Sequence, residues 1–305
     1  MQSIRVKLLA FFSALLISFP TFAVTNWVNF DIINGHINLP VTINGIEGRA
    51  ILDSGSQLNA INLSFINKYN LEFDKGSKID VKGIYSTESS QLYNNVTANL
   101  FGANIELDQL AGLRLGHYDV ELLLGAGLLE KFIFQIDYPN SRLRLFGRDS
   151  IDLAKLENID MQMDRGTGQP IVRVELNGEK NAWLILDTGN SGGLFLKRTL
   201  ATDSDWLTHY GAQATNSFGV NNTGTTESFR LPKVKFGPFT IENVQTSVPS
   251  EGQIEVITGQ DDRNSISHIK GKNIKGLLGF DILKHFVLTI DYKSGHMHVG
   301  LPEDS

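Results

Sequence analysis

The chain has 305 residues, a formal net charge of −6 and no cysteine. The missing cysteine excludes a thiol nucleophile, a cysteine-ligated metal, a disulfide framework and a lipid-modified N-terminal cysteine, and scattered lysines under a net negative charge leave no basic stripe for nucleic acid or an anionic membrane. The length suggests two domains and a core large enough to fold without disulfides.

Residues 1–23 have the three-part layout of a secretory signal peptide: Arg5 and Lys7, the apolar run from Leu8 to Phe19, then Pro20 and "TFA" with small Ala23 before the expected cut. The alternative is an uncleaved anchor, but the run is shorter than the roughly 20 residues of a spanning helix. The mature chain is expected to start near Val24, to meet no membrane afterwards, and to reside in a bacterial periplasm or be secreted, where a cysteine-free chain must rely on its core.

Further along, short alternating or apolar runs recur between Gly, Asn, Asp and Pro: "VTINGIEGRAILD", "NNVTANLFGANIELDQL", "FIFQIDYPNSRLRLF", "IVRVELNGEKNAWLILD", "FRLPKVKFGPFTI" and "FVLTIDYKSGHMHV". These are strand and hairpin signals, with the N-G pairs, "YPNS" and "YKSG" as turns. Helical patterns are brief: Leu63 to Tyr69, Leu128 to Phe132, Lys197 to Trp206 and Ile282 to Phe286. The expected class is mainly β, with the first strand near Ile37.

The elements repeat. "LPVTINGIEGRAILDSGS" before and around Asp53 is echoed by "QPIVRVELNGEKNAWLILDTGN" around Asp187, and "LLLGAGLLEKFIFQIDYPNSRLRL" (Leu122 to Leu145) by "GLLGFDILKHFVLTIDYKSGHMHV" (Gly276 to Val299). The spacing predicts an internal duplication. Two lobes, 24–150 and 151–305, would meet in the polar stretch Gly147 to Gly168.

One D-[ST]-G triplet is what any tight turn prefers. Two copies, each closing an apolar strand where an ionisable residue is costly without a partner, suggest that Asp53 and Asp187 partner each other. Two carboxylates sharing a site hold one proton between them: the ionised one takes a proton from water while the protonated one donates to a peptide carbonyl. Gly55 and Gly189 would let backbone approach the acids, and the hydroxyls of Ser54 and Thr188 could tie the turns together.

These residues, "ILDSGS" and "LILDTGN", with the two later "LLG" segments at Leu123 to Gly125 and Leu277 to Gly279, give the mature chain its resemblance to two-lobed aspartic proteases of the pepsin and retropepsin superfamily, with lobes closer to the compact retropepsin-like type than to secreted pepsins. The resemblance implies bilobal acid-protease β-barrel lobes related by a pseudo-two-fold duplication. It makes Asp53 and Asp187 the catalytic pair and Ser54, Gly55, Ser56, Thr188 and Gly189 their supports. It further implies a polypeptide substrate, a monomer holding both acids, no cofactor, and a flap in Val81 to Tyr93 with Tyr85 as its aromatic. Phe218 to Phe229 is a candidate second hairpin. Asn190 departs from the family's Ser, Thr or Ala, and little chain is left for a propeptide.

Three other readings compete. "GNSGG" from Gly189 looks like the nucleophile loop of trypsin-like serine proteases, with Ser191 as nucleophile, but His36 and His117 lack that family's histidine context and the first half goes unexplained. His296 and His298 share a strand face without a third ligand nearby, so no metal is expected. A protease-like cleft that holds peptide without cutting it is the non-enzymatic alternative.

Overall fold

The structure is a computed structural model that describes residues 24–82, 87–165, 168–218, 223–253 and 272–302. Residues 1–23, expected from the sequence to be a signal peptide, and Tyr85 lie outside the described residues. The chain is mainly β with a β-barrel. Among the described residues no helix is long and apolar enough to cross a membrane.

The N-G turns do what their residue types require. Asn44 and Gly45 (φ 52° and 77°) join His36–Ile43 to Ile46–Leu52, and Asn177 and Gly178 (φ 55° and 74°) join Pro170–Leu176 to Lys180–Leu186. The first loop has two residues and the second adds Glu179, whose N–H donates to Leu176 O at 3.0 Å; in both, a turn with positive φ at two successive positions matches the strands' twist, and Asn followed by Gly tolerates it best. In each hairpin the second strand, which leads to Asp53 or Asp187, then runs parallel to a later strand: Ile46–Leu52 beside Val120–Leu124, with Leu52 opposite Leu124, and Lys180–Leu186 beside Ile274–Leu278, with Leu186 opposite Leu278.

Those later strands bury apolar side chains on both faces. Leu122 and Leu124 enter the main core while Leu123 joins a smaller cluster with Ala60, Leu92, Ala111 and Leu113. Alternation of side chains along a strand explains the split. The main core is continuous across both halves of the chain and includes Phe134 and Ile136 as well as Leu288 and Ile290.

These four belong to a five-stranded sheet built from both halves, in the order Val28–Asn29, Arg142–Phe146, Ile133–Asp137, Val287–Asp291, His296–Gly300. Its central antiparallel pair sets Ile133 opposite Asp291 and Asp137 opposite Val287. The register is centred on Gln135 and Thr289, whose side chains hydrogen-bond at 2.9 Å.

The first strand comes earlier than expected. Val24 already bridges Phe146, and Val28–Asn29 forms the edge of the joint sheet. The helix Leu63–Tyr69 lies as expected, capped by Asn62 Oδ1 accepting from Ser64 N at 2.9 Å. The later helices start elsewhere: Ala126–Leu129 and Phe280–Leu283 begin directly after Gly125 and Gly279, and Lys197 to Trp206 divides into Arg198–Asp203 and Trp206–His209. Apolar periodicity marked only the buried ends, Leu128 and Leu129 or Ile282 and Leu283. The stretch 147–168 contains a further short helix, Leu153–Leu156, and the strand Met161–Met163.

Candidate active site

Each acid is positioned by the strand that passes beside it. Asp53 N donates to Leu124 O and Asp187 N to Leu278 O, both at 2.9 Å. The chain then turns behind the loop through Gly125 or Gly279. A Cβ on Gly125 would lie 2.4 Å from Leu58 O, and one on Gly279 would lie 2.4 Å from Asn190 O, so the close passage admits only glycine. Ala126 N then donates to Ser56 O and Phe280 N to Asn190 O, each at 2.9 Å.

Between the halves, Ser54 N donates to Thr188 Oγ1 and Thr188 N to Ser54 Oγ, both at 2.9 Å. The hydroxyls in turn donate across the junction, Ser54 Oγ to Leu186 O at 2.6 Å and Thr188 Oγ1 to Leu52 O at 2.8 Å. All four groups are buried, so each bond also removes the cost of an unsatisfied polar atom.

This lock brings the acids together. A Cβ on Gly55 would sit 2.6 Å from Asp187 Cγ and one on Gly189 2.5 Å from Asp53 Cγ, so each turn's glycine is packed on the opposite carboxyl group. Asp53 Oδ1 accepts from Gly55 N at 2.9 Å and Ser56 N at 3.0 Å, and Asp187 Oδ1 accepts from Gly189 N at 2.9 Å. Burial raises both carboxyls above the ordinary range. Asp187 rises further, because the charge of Asp53 and the hydrogen bond between their side chains add to burial, whereas that bond helps Asp53 stay ionised. Two carboxyls placed this closely do not both ionise readily, and of the two Asp187 is pushed up the more.

Ser56 and Asn190 occupy matching places with different chemistry. Ser56 Oγ bonds the Leu58 carbonyl at 2.8 Å, whereas Asn190 Oδ1 accepts from Gly192 N at 3.0 Å, so the amide side chain closes its own loop. Ser191 is exposed beside Gly35. His36 Nδ1 is buried without a hydrogen-bond partner among the described residues, so no Nδ1 bond links that imidazole to the hydroxyl.

The flap region does contain a hairpin, Asp74–Lys82 with Thr87–Asn94, whose Ile79 and Val81 pack with Leu58 and Leu123, while its tip with Tyr85 is outside the described residues. The second expected hairpin is also formed, Gln213–Phe218 with Thr223–Phe236, and its tip is likewise outside them. His296 bonds Glu157, and no group of three or more potential metal ligands exists among the described residues.

Several residues at the site carried no functional reading in the sequence. Tyr138 and Tyr292 are buried next to the acids, whose charge, added to burial, raises both phenols. They follow the two Ile-Asp pairs of the repeat, which was the available signal. Gln169 donates its amide to Gly55 O at 2.5 Å. The sequence suggests His36 only as a partner for Ser191.

No curated protein matches the chain. The family model described as aspartyl protease matches residues 172–282, the segment that contains Asp187 and Gly279 and ends before Val287–Asp291, the fourth strand of the joint sheet. Over that segment the chain is similar to the aspartyl proteases, and the match supports an aspartic protease of the retropepsin-like type.

Proposed function

We propose that the chain is an aspartic endopeptidase in which water activated between Asp53 and Asp187 hydrolyses peptide bonds. The observation that carries this reading is the mutual packing of each turn's glycine on the other's carboxyl group, which sets the half-buried Asp53 and the buried Asp187 close enough to share one proton. Asp53, ionised, takes a proton from the water as it attacks the peptide carbonyl. Asp187 donates its proton to the carbonyl oxygen. The tetrahedral intermediate then collapses as a proton passes to the leaving nitrogen, and no covalent intermediate forms with the protein. Ser54, Gly55, Ser56, Thr188 and Gly189 hold the pair by the bonds and close contacts described above.

In this reading the chain is a monomer of two duplicated lobes, 24–150 and 151–305, related by a pseudo-two-fold axis through the Gln135–Thr289 contact. Matching strand orders and matching backbone bonds at Asp53 and Asp187 favour the duplication. The natural site of action is a bacterial periplasm or the exterior, and the substrate is polypeptide.

Incubation of the purified chain with an unfolded polypeptide tests the reading. Cleavage that disappears in Asp53→Asn and in Asp187→Asn is the expected result. Binding without cleavage identifies the inactive peptide-holding alternative, and cleavage that survives Asp53→Asn but not Ser191→Ala identifies the serine one.

A further inference from the structure

The two acids have different company at one corresponding position. In the first half, Asn38 is paired with Ile51, and the same antiparallel register carried two residues further sets His36 opposite Asp53. In the second half, Ile171 is paired with Ile185, and the same step sets Gln169 opposite Asp187. One place therefore holds an imidazole beside the first acid and a carboxamide beside the second. Gln169 cannot ionise, and its amide is engaged with Gly55 O.

His36 is held firmly. The turn before it packs on the second half, a Cβ on Gly35 falling 2.8 Å from Ser191 Cβ, and Asn38 Nδ2 donates to His36 O at 2.9 Å. Its Nδ1 is buried and unpartnered among the described residues. Burial holds the imidazole below its ordinary value, opposed by the charge of Asp53. Asp53 is the charged group that acts on it. Asp31, on the other strand of the His36 hairpin, is exposed and paired with Asn38, and the loop packed against the turn contributes Asn190 and Ser191, which carry no charge.

We propose that His36 is a positioning residue for the acid pair: when protonated it holds Asp53 as the ionised member and leaves the shared proton on Asp187. The proposal rests on the reading of that pair as catalytic. In acid, where a second proton would silence the pair, the imidazole is also charged, and a cation across from Asp53 opposes protonation of that carboxylate. At higher pH the imidazole is neutral and the pair holds its single charge unaided. The acid limb of activity therefore extends lower than two carboxyls alone would allow, while the alkaline limb is independent of His36. An uncharged Gln169 opposite Asp187 leaves the roles of base and acid unequal.

Two measurements test this. In an NMR titration of the imidazole resonances, the His36 midpoint is expected to fall by about one pH unit in Asp53→Asn, the size of effect a close opposite charge exerts; an unmoved midpoint overturns the proposal. In pH profiles of kcat/KM on an unfolded polypeptide, the acid limb of His36→Gln is expected to move up by about half to one unit and that of His36→Lys to return toward the parent position. An acid limb that stays put in a folded His36→Gln also overturns it, and if that variant does not fold the titration decides alone. A parent chain without turnover at any pH defeats the proteolytic reading, and the titration still settles whether His36 and Asp53 are coupled.

Discussion

Ser54 and Thr188, 134 positions apart in the chain, each donate a backbone N–H to the other's hydroxyl at 2.9 Å. Replacing either by Ala leaves a buried amide without its acceptor and a buried carbonyl without its donor, a cost of about 1–3 kcal/mol for each unsatisfied group. Ser54→Ala and Thr188→Ala should each lower Tm by several degrees. Because the two side chains act on one junction, the double variant should cost clearly less than the sum, which a double-mutant cycle by thermal unfolding measures.

The contacts of Gly55 and Gly189 with the opposite carboxyl groups, 2.6 Å and 2.5 Å from an added Cβ, leave no room for alanine. Gly55→Ala and Gly189→Ala should displace the acids and lower turnover of an unfolded polypeptide by orders of magnitude, since a shift of about 1 Å can cost a hundredfold. Gly192→Ala is the control: its Cβ would meet Asn190 Oδ1 at an ordinary 3.5 Å, and turnover should change little.

A proton shared by Asp53 and Asp187 predicts a bell-shaped pH dependence whose two apparent constants belong to the pair. Because the folded-state carboxyls titrate above their unfolded values, the stability they contribute is complete below the ordinary carboxylate range and is lost as pH rises through their raised values. Asp53→Asn should therefore abolish turnover and raise Tm at neutral pH, because it removes the charge that the parent keeps on the ionised member of the pair. With both acids in one chain, activity per molecule should not change on dilution, and mixing Asp53→Asn with Asp187→Asn should restore none. Recovery on mixing would mean that the pair forms between chains.

Glu121 is fully buried, its two carboxylate oxygens have no hydrogen-bond partner among the described residues, and Oε1 would lie 2.6 Å from a Cβ on Gly48. Burial pushes its carboxyl up to about 8. Its neutral form suits the fold, so stability is greatest below the ordinary value of 4.5 and declines as pH rises from there through about 8. Glu121→Met should flatten that decline and leave the chain more stable than the parent near pH 8 by about 1–3 kcal/mol, as expected when an unsatisfied buried polar group is removed. Tm measured across pH 4 to 9 checks it.

What the sequence by itself determined lies in features that depend on a residue and its near neighbours. Asn44-Gly45 and Asn177-Gly178 turn because both positions need positive φ, the helix from Leu63 starts where Asn62 can cap it, and an apolar strand ending in Asp-Ser-Gly or Asp-Thr-Gly places an acid and a small residue at a tight turn. The repeat of those units was legible for the same reason. The tertiary structure alone decided who faces whom. Gly125 and Gly279 are needed because a strand passes behind a distant loop, and the helices after them begin at Ala126 and Phe280 because the chain leaves that passage already turning. His36 stands across from Asp53 through strand register, and Gln169 reaches Gly55 across the junction between the halves. Glu121 is buried at a shift in the pairing between Val120 and Leu122, which no local pattern marks. Register and packing join residues far apart in the chain, and their energies depend on burial and approach distances that exist only once both halves have folded against each other.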